Sequence, residues 1–473
     1  MRGRLVGWLC LVAIGWTPPA LARQAAPSSL KAGAARVEIT PPASSLGPTD
    51  SIRDPLFVRA MVIGNATDCA VLIGADVIGL GDALVRTAID RASAATGCAA
   101  ENFVVSATHT HSSAATLRRG PPADAAAIEQ ALVKAAIDAR AAMRPARIGF
   151  ATRSLDLNIN RDLLLDGRWV QGPNPGGPSD KSLAVLEVLD TDGLPIGVYV
   201  NYAMHPINFY MSGVVSADFA GEASRYIERR YGADSVAIFA QGASGDQNPA
   251  FVGPMNRLSR ARAGVAGTMA VTAPPPWRPG VESTTDVRNR FEALAKPVPA
   301  DRLPAYRAAI ADVSDIVTAT GTIIGEAVID TMRFRTPAPV ARATIRGVST
   351  TVSCPGRDRL DADDPVREGA LPPYADGRLV TIRVGVVRLG DAHIVTVDGE
   401  VYSEIGLRLR RETPGTQLMM TTLANGAANS GYIYSDAARD NLTFQVIGSR
   451  LKPGCAETAI VEAAKALIAR LAS

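Results

Sequence analysis

Two histidines follow a short, mostly apolar segment near the start of the chain. Residues 103–107 are typical of a buried strand, and His109 and His111 come just after them. If the strand continues, its period of two puts both imidazoles on one face. The chain has only four histidines, and a third, His205, follows another apolar run at 198–204. Imidazoles commonly bind zinc or carry protons near neutral pH, so this pattern predicts a shared metal ion.

Three further polar residues also come after apolar segments: Asp246, Glu400 and Tyr432. In open α/β sheets, ligands collect outside the carboxyl ends of the strands. Two histidines and a glutamate form a zinc-binding set that leaves a position for water, and zinc-bound water ionises near pH 7. Each residue also has a plainer interpretation. Glu400 could cap the helix after it, Tyr432 could be a buried phenol with one hydrogen bond, and Asp246 could be a turn residue.

The elements around these residues alternate between strand and helix patterns. A strand at 71–75, a helix at 83–95 and the strand at 103–107 form a predicted βαβ unit. We therefore expect an α/β fold: a single large domain over 34–473, with a mainly parallel mixed sheet covered by helices and the metal site at strand C-terminal ends. Residues 23–33 are expected to be mobile. Proline-rich breaks favour an irregular surface insertion over 252–310, and no internal repeat is evident in the sequence.

Residues 1–22 have the pattern of a secretory signal peptide. Arg2 and Arg4 precede an apolar segment, and a small-x-small cleavage site ends at Ala22. Export to the periplasm or the medium is predicted, without a transmembrane anchor, because the apolar segment is too short to span a bilayer. Removal of the two arginines lowers the formal net charge from +3 to +1. That balance argues against nucleic acid as a partner, and a lipid-like substrate would be recognised by a pocket.

The cysteine count also fits an oxidising compartment. Cys10 leaves with the signal peptide, so four of the five cysteines remain and allow two disulfides in three connectivities. If the strands after Cys69 and Cys98 are parallel neighbours, these two cysteines can pair, which leaves Cys354 and Cys455 as the second pair. Four free, buried thiols are the alternative.

The ordered set of motifs resembles the catalytic domain of the neutral/alkaline non-lysosomal ceramidase family. The matching stretches are Ala107-Thr108-His109-Thr110-His111-Ser112, Asn160-Arg161, Asn201-Tyr202-Ala203-Met204-His205-Pro206, Gly245-Asp246-Gln247-Asn248-Pro249, Gly399-Glu400 and Gly431-Tyr432-Ile433. The resemblance implies that one zinc ion per chain is bound by His109, His205, Glu400 and Tyr432. It further implies that His111 is a proton donor or substrate contact and that Asp246 orients groups at the metal. Arg161 is implied to reach the polar headgroup of the substrate, with Asn160 as a second substrate-binding residue. An additional structural Ca²⁺ or Mg²⁺ is left open.

Two features depart from the family pattern. Asn248 occupies a position where these ceramidases have serine, and an asparagine can donate to an oxyanion but cannot act as a nucleophile. After the last helix we expect no immunoglobulin-like domain of the kind that the ceramidases carry.

The sequence thus predicts an exported zinc-dependent hydrolase of an amide-type bond in a linear N-acyl substrate of the N-acylsphingosine type or a related one. Zinc-activated water would attack the carbonyl, while Tyr432, Asn248 or the metal stabilises the oxyanion and His111 protonates the leaving amine. One alternative is a non-catalytic, exported ligand-binding protein on the same zinc fold. A weaker one is a serine hydrolase using Ser244, because Asp246 stands where the nucleophile elbow requires glycine. The oligomeric state is left open.

Overall fold

A computed structural model describes residues 29–113, 125–232, 234–264, 296–361 and 366–472. The predicted signal peptide at 1–22 lies outside the described residues, as do residues 23–28 of the predicted mobile N-terminus.

Strands and helices alternate along the described chain. The strands are β1 (Lys31–Glu38), β2 (Ser51–Ile52), β3 (Phe57–Gly64), β4 (Cys69–Ala75), β5 (Phe103–Ala107), β6 (Arg144–Pro145), β7 (Arg147–Ser154), β8 (Asn158–Leu165), β9 (Arg168–Asn174), β10 (Ser182–Leu189), β11 (Pro195–Tyr202), β12 (Val214–Val215), β13 (Val236–Gln241), β14 (Gln247–Pro249), β15 (Ile345–Arg359), β16 (Tyr374–Leu389), β17 (Ala392–Val397), β18 (Glu400–Val401), β19 (Gln417–Thr421) and β20 (Tyr432–Ile433). The α-helices are α1 (Asp82–Thr96), α2 (Ala125–Ala141), α3 (Asp218–Tyr231), α4 (Gly253–Ala263), α5 (Leu303–Phe334), α6 (Ser403–Glu412), α7 (Phe444–Gly448) and α8 (Ala456–Ala472).

Three larger sheets share one construction. Their strand orders are β5-β4-β3-β1-β6 in sheet I, β13-β11-β10-β7 in sheet II and β15-β16-β17-β19 in sheet III. In each sheet three strands, taken in chain order, pair antiparallel with one another. A helix then leads to an edge strand that pairs parallel with the third of them. The order is β1, β3, β4, α1, β5 in sheet I, β7, β10, β11, α3, β13 in sheet II and β15, β16, β17, α6, β19 in sheet III. This threefold repetition of structure was not visible in the sequence.

One face of each sheet contributes to a common core. The shared cluster includes Leu72 and Val104 of sheet I, Leu186 and Ile238 of sheet II, and Ile394 of sheet III. Helices α1 and α2 cover the outer face of sheet I, α3 and α5 that of sheet II, and α6 and α8 that of sheet III. Because both faces of the inner strands are largely buried, these strands are mostly apolar, as the wholly buried β4 illustrates. The described residues thus form one mixed α/β unit.

The prediction of one mainly parallel sheet is wrong. Among the described strands, antiparallel neighbours outnumber parallel ones, and the strands are divided among several sheets. Short turns join β3 to β4, β10 to β11 and β16 to β17 and make antiparallel hairpins, whereas in these three sheets only strands linked through a helix run parallel. The predicted βαβ unit is confirmed as β4, α1 and β5, which show that parallel exception.

Two predicted irregular segments also contain regular structure. Residues 31–33, expected to be mobile, are part of β1 and pair with β3. The predicted insertion over 252–310 contains α4 and the first turns of α5, which begins at Leu303 with Pro304 in its first turn, a position that tolerates proline. Residues 265–295 of that insertion fall outside the description.

Helix α5 is long and apolar enough, by length and composition alone, to cross a membrane. In this fold it packs against α3 and the outer face of sheet II. Gly321 and Gly325 lie at the crossing, where an added methyl group would collide with Glu222 and Tyr226 of α3. The close helix contact identifies α5 as part of the protein core, and the glycines allow it.

Both disulfides connect the pairs expected from the sequence: Cys69 with Cys98 and Cys354 with Cys455. The first joins the start of β4 to the loop before β5, and the second joins β15 to the residue before α8. The alternative of free thiols is therefore not borne out.

Replacing Cys354 and Cys455 together by alanine is expected to lower the free energy of unfolding more than replacing Cys69 and Cys98. The two pairs are 101 and 29 residues apart, for which loop-closure entropy gives losses of about 4.7 and about 3.6 kcal/mol. Urea unfolding of the two double variants measures the difference. A smaller loss for the longer loop would contradict this expectation.

A buried carboxyl group on β10 makes stability depend on pH. Burial raises the pKa of Glu187 to about 7 from an ordinary value of 4.5, despite a hydrogen bond with Thr336. Stability from the neutral carboxyl is therefore fully present below pH 4.5 and is lost as the pH rises through 7. We expect Glu187→Gln to raise the unfolding free energy at pH 8 by about 1–3 kcal/mol and to leave it nearly unchanged at pH 4. Unfolding curves at the two pH values test this, and an equal effect at both would rule it out.

Candidate metal centre

His109 follows β5 in a backbone conformation that is rare for residues other than glycine. Its φ is 68°, so the strand has ended and the expected period of two does not apply. Two backbone carbonyls hold the residue: its N–H donates to Val77 O (3.0 Å), and its Nδ1 lies 2.5 Å from Ile78 O. Both carbonyls belong to the loop after β4, the parallel neighbour of β5. The adjacent strand end thus positions the imidazole.

His205 is held in the same manner in sheet II. It lies three residues after β11, and its Nδ1 is 2.8 Å from Ser244 O, in the loop after the parallel neighbour β13. Its N–H donates to Gln247 O at 3.0 Å. Burial and the nearby Arg161 guanidinium lower the pKa of His205 to about 3.

These contacts determine the tautomer of each ring. A carbonyl oxygen only accepts, so Nδ1 of both His109 and His205 carries hydrogen, and the Nε2 of each ring in its neutral form presents a lone pair. The two Nε2 atoms face each other at 3.1 Å. Oε2 of Glu400 lies 3.1 Å from Nε2 of His109 and 3.2 Å from Nε2 of His205. Three electron-rich atoms therefore converge in a buried place, an arrangement that fits a divalent cation.

Glu400 comes three residues after β17 of sheet III and is ionised in this setting. Burial opposes its charge, but His109 and His205 outweigh burial and hold the pKa of Glu400 well below its usual range. The three ligand candidates thus come from the three sheets, one from each. Each of the three side chains lies beyond the C-terminal end of a strand.

His111 joins the cluster in a different way. Its Nε2 lies 3.2 Å from Nε2 of His109, and the three imidazoles each offer a nitrogen within 4.8 Å of the others. Its Nδ1 is buried without a hydrogen-bond partner among the described residues, and its ring meets Tyr210 edge to face. Burial, followed by His109 and His205, lowers the pKa of His111 well below its ordinary value. His111 is therefore neutral and lacks the carbonyl anchor that fixes the other two rings.

Tyr432 lies beside the carboxylate. The short strands β18 and β20 run parallel, with Glu400 opposite Tyr432, and the phenol ring stacks on His205 at 6.5 Å between centroids. Burial and the Glu400 charge raise the pKa of Tyr432 above its usual range. The neutral phenol can therefore donate a hydrogen bond beside the cluster.

Arg161 is buried rather than open to a headgroup. Only 4% of it is exposed, and its guanidinium donates to Gly245 O (2.6 Å) and to Oδ1 of Asn248 (3.2 Å). Gln445 accepts from Nη2 at 3.0 Å once its amide oxygen faces the guanidinium. The guanidinium also lies 5.4 Å from the centre of the Tyr432 ring. These contacts place a fixed positive charge next to the cluster.

Asp246 and Asn160 are neighbours of Arg161. Among the described residues, neither makes a hydrogen bond to the histidines. The carboxylate of Asp246 accepts from the N–H (2.7 Å) and hydroxyl (2.9 Å) of Ser403 and from the amide of Asn160 (3.0 Å). Asn160 also donates to Pro178 O. Both residues therefore connect β8 to the start of α6, three residues after Glu400, and the substrate contact predicted for Asn160 stays a prediction. Burial raises the pKa of Asp246 to about 7.

The two residues on which the alternatives depended are also buried. The Oδ1 of Asn248 accepts from Arg161, so this amide helps to orient the guanidinium. The Ser244 hydroxyl accepts from the amide of Gln241 at 2.5 Å, whereas His205 binds the Ser244 backbone carbonyl rather than its hydroxyl. That arrangement does not form a nucleophile–base pair.

Several contributors were missed in the sequence. Ile78 and Ser244 act through their backbone carbonyls, which carry no residue-type signal. Gln445 and Ser403 are common polar residues outside the recognised motifs. Ser403 could have been noticed as the first residue of the predicted helix after Glu400, where a carboxylate partner is frequent.

Comparisons with known proteins bear on the whole arrangement. Residues 43–267 match the family model described as neutral/alkaline non-lysosomal ceramidase, N-terminal. No curated protein sequence matches the chain. Two solved structures are similar: one titled as a ceramidase complexed with C2 (TM-score 0.63, 16% identity, 94% of this chain and 76% of that one), and a neutral ceramidase from Pseudomonas aeruginosa (TM-score 0.64, 17% identity, 94% and 75%).

At these identities the two structures support the fold, and the family assignment depends on the matched segment. That segment includes His109, His111 and His205, and Glu400 and Tyr432 lie beyond it. Residues 43–267 therefore match the N-terminal region of the neutral/alkaline non-lysosomal ceramidase family, in agreement with the resemblance found in the sequence motifs.

Proposed function

We propose that this protein is an exported zinc-dependent hydrolase that cleaves the amide bond of a linear, lipid-like N-acyl substrate, with water as the nucleophile. The observation that carries the proposal is the convergence of two imidazole lone pairs and one carboxylate oxygen within 3.2 Å in a buried site. The family match supports a ceramidase-like hydrolase, and the titles of the two similar structures suggest an N-acylsphingosine-type substrate.

The ligand set is proposed as His109, His205 and Glu400, with Tyr432 as a fourth. Metal-binding histidines commonly donate their other ring N–H to a carbonyl or carboxylate, which fixes the ring. His109 and His205 have that carbonyl partner, and His111 does not. This difference favours His111 as a proton carrier. The additional structural Ca²⁺ or Mg²⁺ remains a prediction without a second donor cluster among the described residues.

A zinc ion held by these residues would supply Lewis-acid activation of water and of the substrate carbonyl. His111, neutral in the site, would take one proton from the attacking water and return it to the leaving nitrogen, so that the proton count balances. The phenol O–H of Tyr432 would donate to the developing oxyanion. The Oδ1 of Asn248 accepts from Arg161, and donation from its amide N–H to the oxyanion stays a prediction. Arg161 would stabilise negative charge at the site through its fixed guanidinium.

Export is proposed from residues 1–22, and the two disulfides are consistent with an oxidising compartment such as the periplasm or the medium. The alternative, a non-catalytic ligand-binding protein, would bind the same metal ion and would differ from the enzyme only in the absence of turnover. A measurement of hydrolytic activity therefore distinguishes the two.

The purified protein is expected to contain about one zinc per chain, and His205→Ala and Glu400→Gln to weaken zinc binding at least ~100-fold, because loss of an outer-shell partner alone costs 10–100-fold. Elemental analysis and chelator competition measure this. His393→Ala is the matched control, since His393 lies on β17 away from the cluster. Full zinc content in both ligand variants would refute the assignment.

His111→Ala is expected to retain zinc within a few-fold but to lower kcat for amide hydrolysis by about 10²–10⁴, the usual contribution of a positioned acid–base group. Zinc affinity and turnover on a panel of N-acyl amides are measured on the same preparation. Zinc loss equal to that of His205→Ala would make His111 a ligand. If the zinc-loaded wild type turns over no member of the panel, the binding-protein reading replaces the enzyme.

A further inference from the structure

Asp76 follows the last residue of β4 and directly precedes the two residues that hold His109. The carbonyls of Val77 and Ile78 bind the backbone N–H and the Nδ1 of His109. Asp76 is 1% exposed, and hydrogen bonds hold both its backbone N–H and its side-chain carboxylate. Its backbone N–H donates to Phe57 O (2.9 Å), and its Oδ2 accepts from Phe57 N–H at 2.9 Å.

A buried arginine links this carboxylate to a second one. Nη1 of Arg59 is 2.8 Å from Oδ2 of Asp76, and its Nε is 2.8 Å from Oε1 of Glu228. Glu228 also accepts from the N–H of Ala237 on β13, and it pairs with Arg36 at 3.2 Å. The chain of contacts therefore runs from the residue before Val77, in sheet I, to α3 and β13 of sheet II.

The charges in this network balance: two arginines, Arg36 and Arg59, face Asp76 and Glu228. Burial alone would disfavour the charge on Arg59, but the two carboxylates outweigh it and raise its pKa. A buried ion network of this kind is often no more stabilising than apolar residues of the same volume. Its contact with Asp76, directly before the two residues that hold His109, indicates a use in geometry.

We propose that Asp76, held by Arg59, is a positioning residue for His109, because it fixes the backbone of residues 76–78 that orients the imidazole. The inference rests on the proposed metal site and extends it to a residue without any contact to the ion. His109 has a φ of 68°, a conformation that the surrounding structure must impose. The carbonyls of Val77 and Ile78 do so only if the chain that precedes them is fixed.

The test compares Asp76→Asn with Glu228→Gln. Each variant removes one carboxylate charge from Arg59 and keeps the size of the side chain, but only the first alters the residue next to Val77. Zinc affinity is measured by chelator competition, the ligand field by the visible spectrum of the Co²⁺-substituted protein, and folding by thermal unfolding of the metal-free protein. A third variant, Asp76→Asn with Arg59→Gln, removes both charges of the pair and serves if the single variant does not fold.

Asp76→Asn, alone or with Arg59→Gln, is expected to weaken zinc binding about 10–100-fold and to change the Co²⁺ spectrum. Glu228→Gln should lower the unfolding temperature but keep zinc affinity within a few-fold of wild type. The inference is overturned if zinc affinity falls equally in Asp76→Asn and Glu228→Gln, or in neither. A wild-type protein without tight zinc binding overturns the proposed function as well, whereas tight binding that Asp76→Asn leaves unchanged overturns the inference alone.

Discussion

Two imidazole nitrogens without hydrogen, facing each other and a carboxylate oxygen in a buried space, repel one another unless a positive charge lies between them. This repulsion is the reason to interpret the cluster as a cation site. Its origin is local, because the carbonyls of Ile78 and Ser244 accept only, and so they settle the tautomer of His109 and His205. The arrangement of the strands then brings the unprotonated nitrogens together.

The three-sheet construction explains why that meeting is possible. Each sheet ends in a parallel pair of strands, and the residues beyond those ends converge: His109 from sheet I, His205 from sheet II and Glu400 from sheet III. A single sheet would place strand ends along a line. Three sheets around one apolar core place them around a point, and a point is the geometry that a single ion needs.

The sequence was most informative about residue types at strand ends. His109, His205, Glu400 and Tyr432 could be singled out because apolar runs of strand length precede scarce or charged residues, and motif order joined them to a family. The division into three sheets could not be predicted in this way, since hairpin strands buried on both faces are as apolar as parallel ones. The structural contacts of Arg161, Asp246 and Asn160 could not be predicted either, and the roles expected for them at the substrate and the metal stay predictions. A polar residue beside a motif has the same appearance in the sequence whether it faces substrate or supports a neighbour.

The order of the ligands along the chain has a consequence for biosynthesis. Both imidazoles lie in the first half of the polypeptide, while Glu400 and Tyr432 are translated near its end. A growing chain that has reached sheet II already contains the imidazoles of the cluster but not the carboxylate that faces them. The proposed metal site would therefore be incomplete until sheet III has been made and folded, and a polypeptide truncated before that point would lack the anionic oxygen.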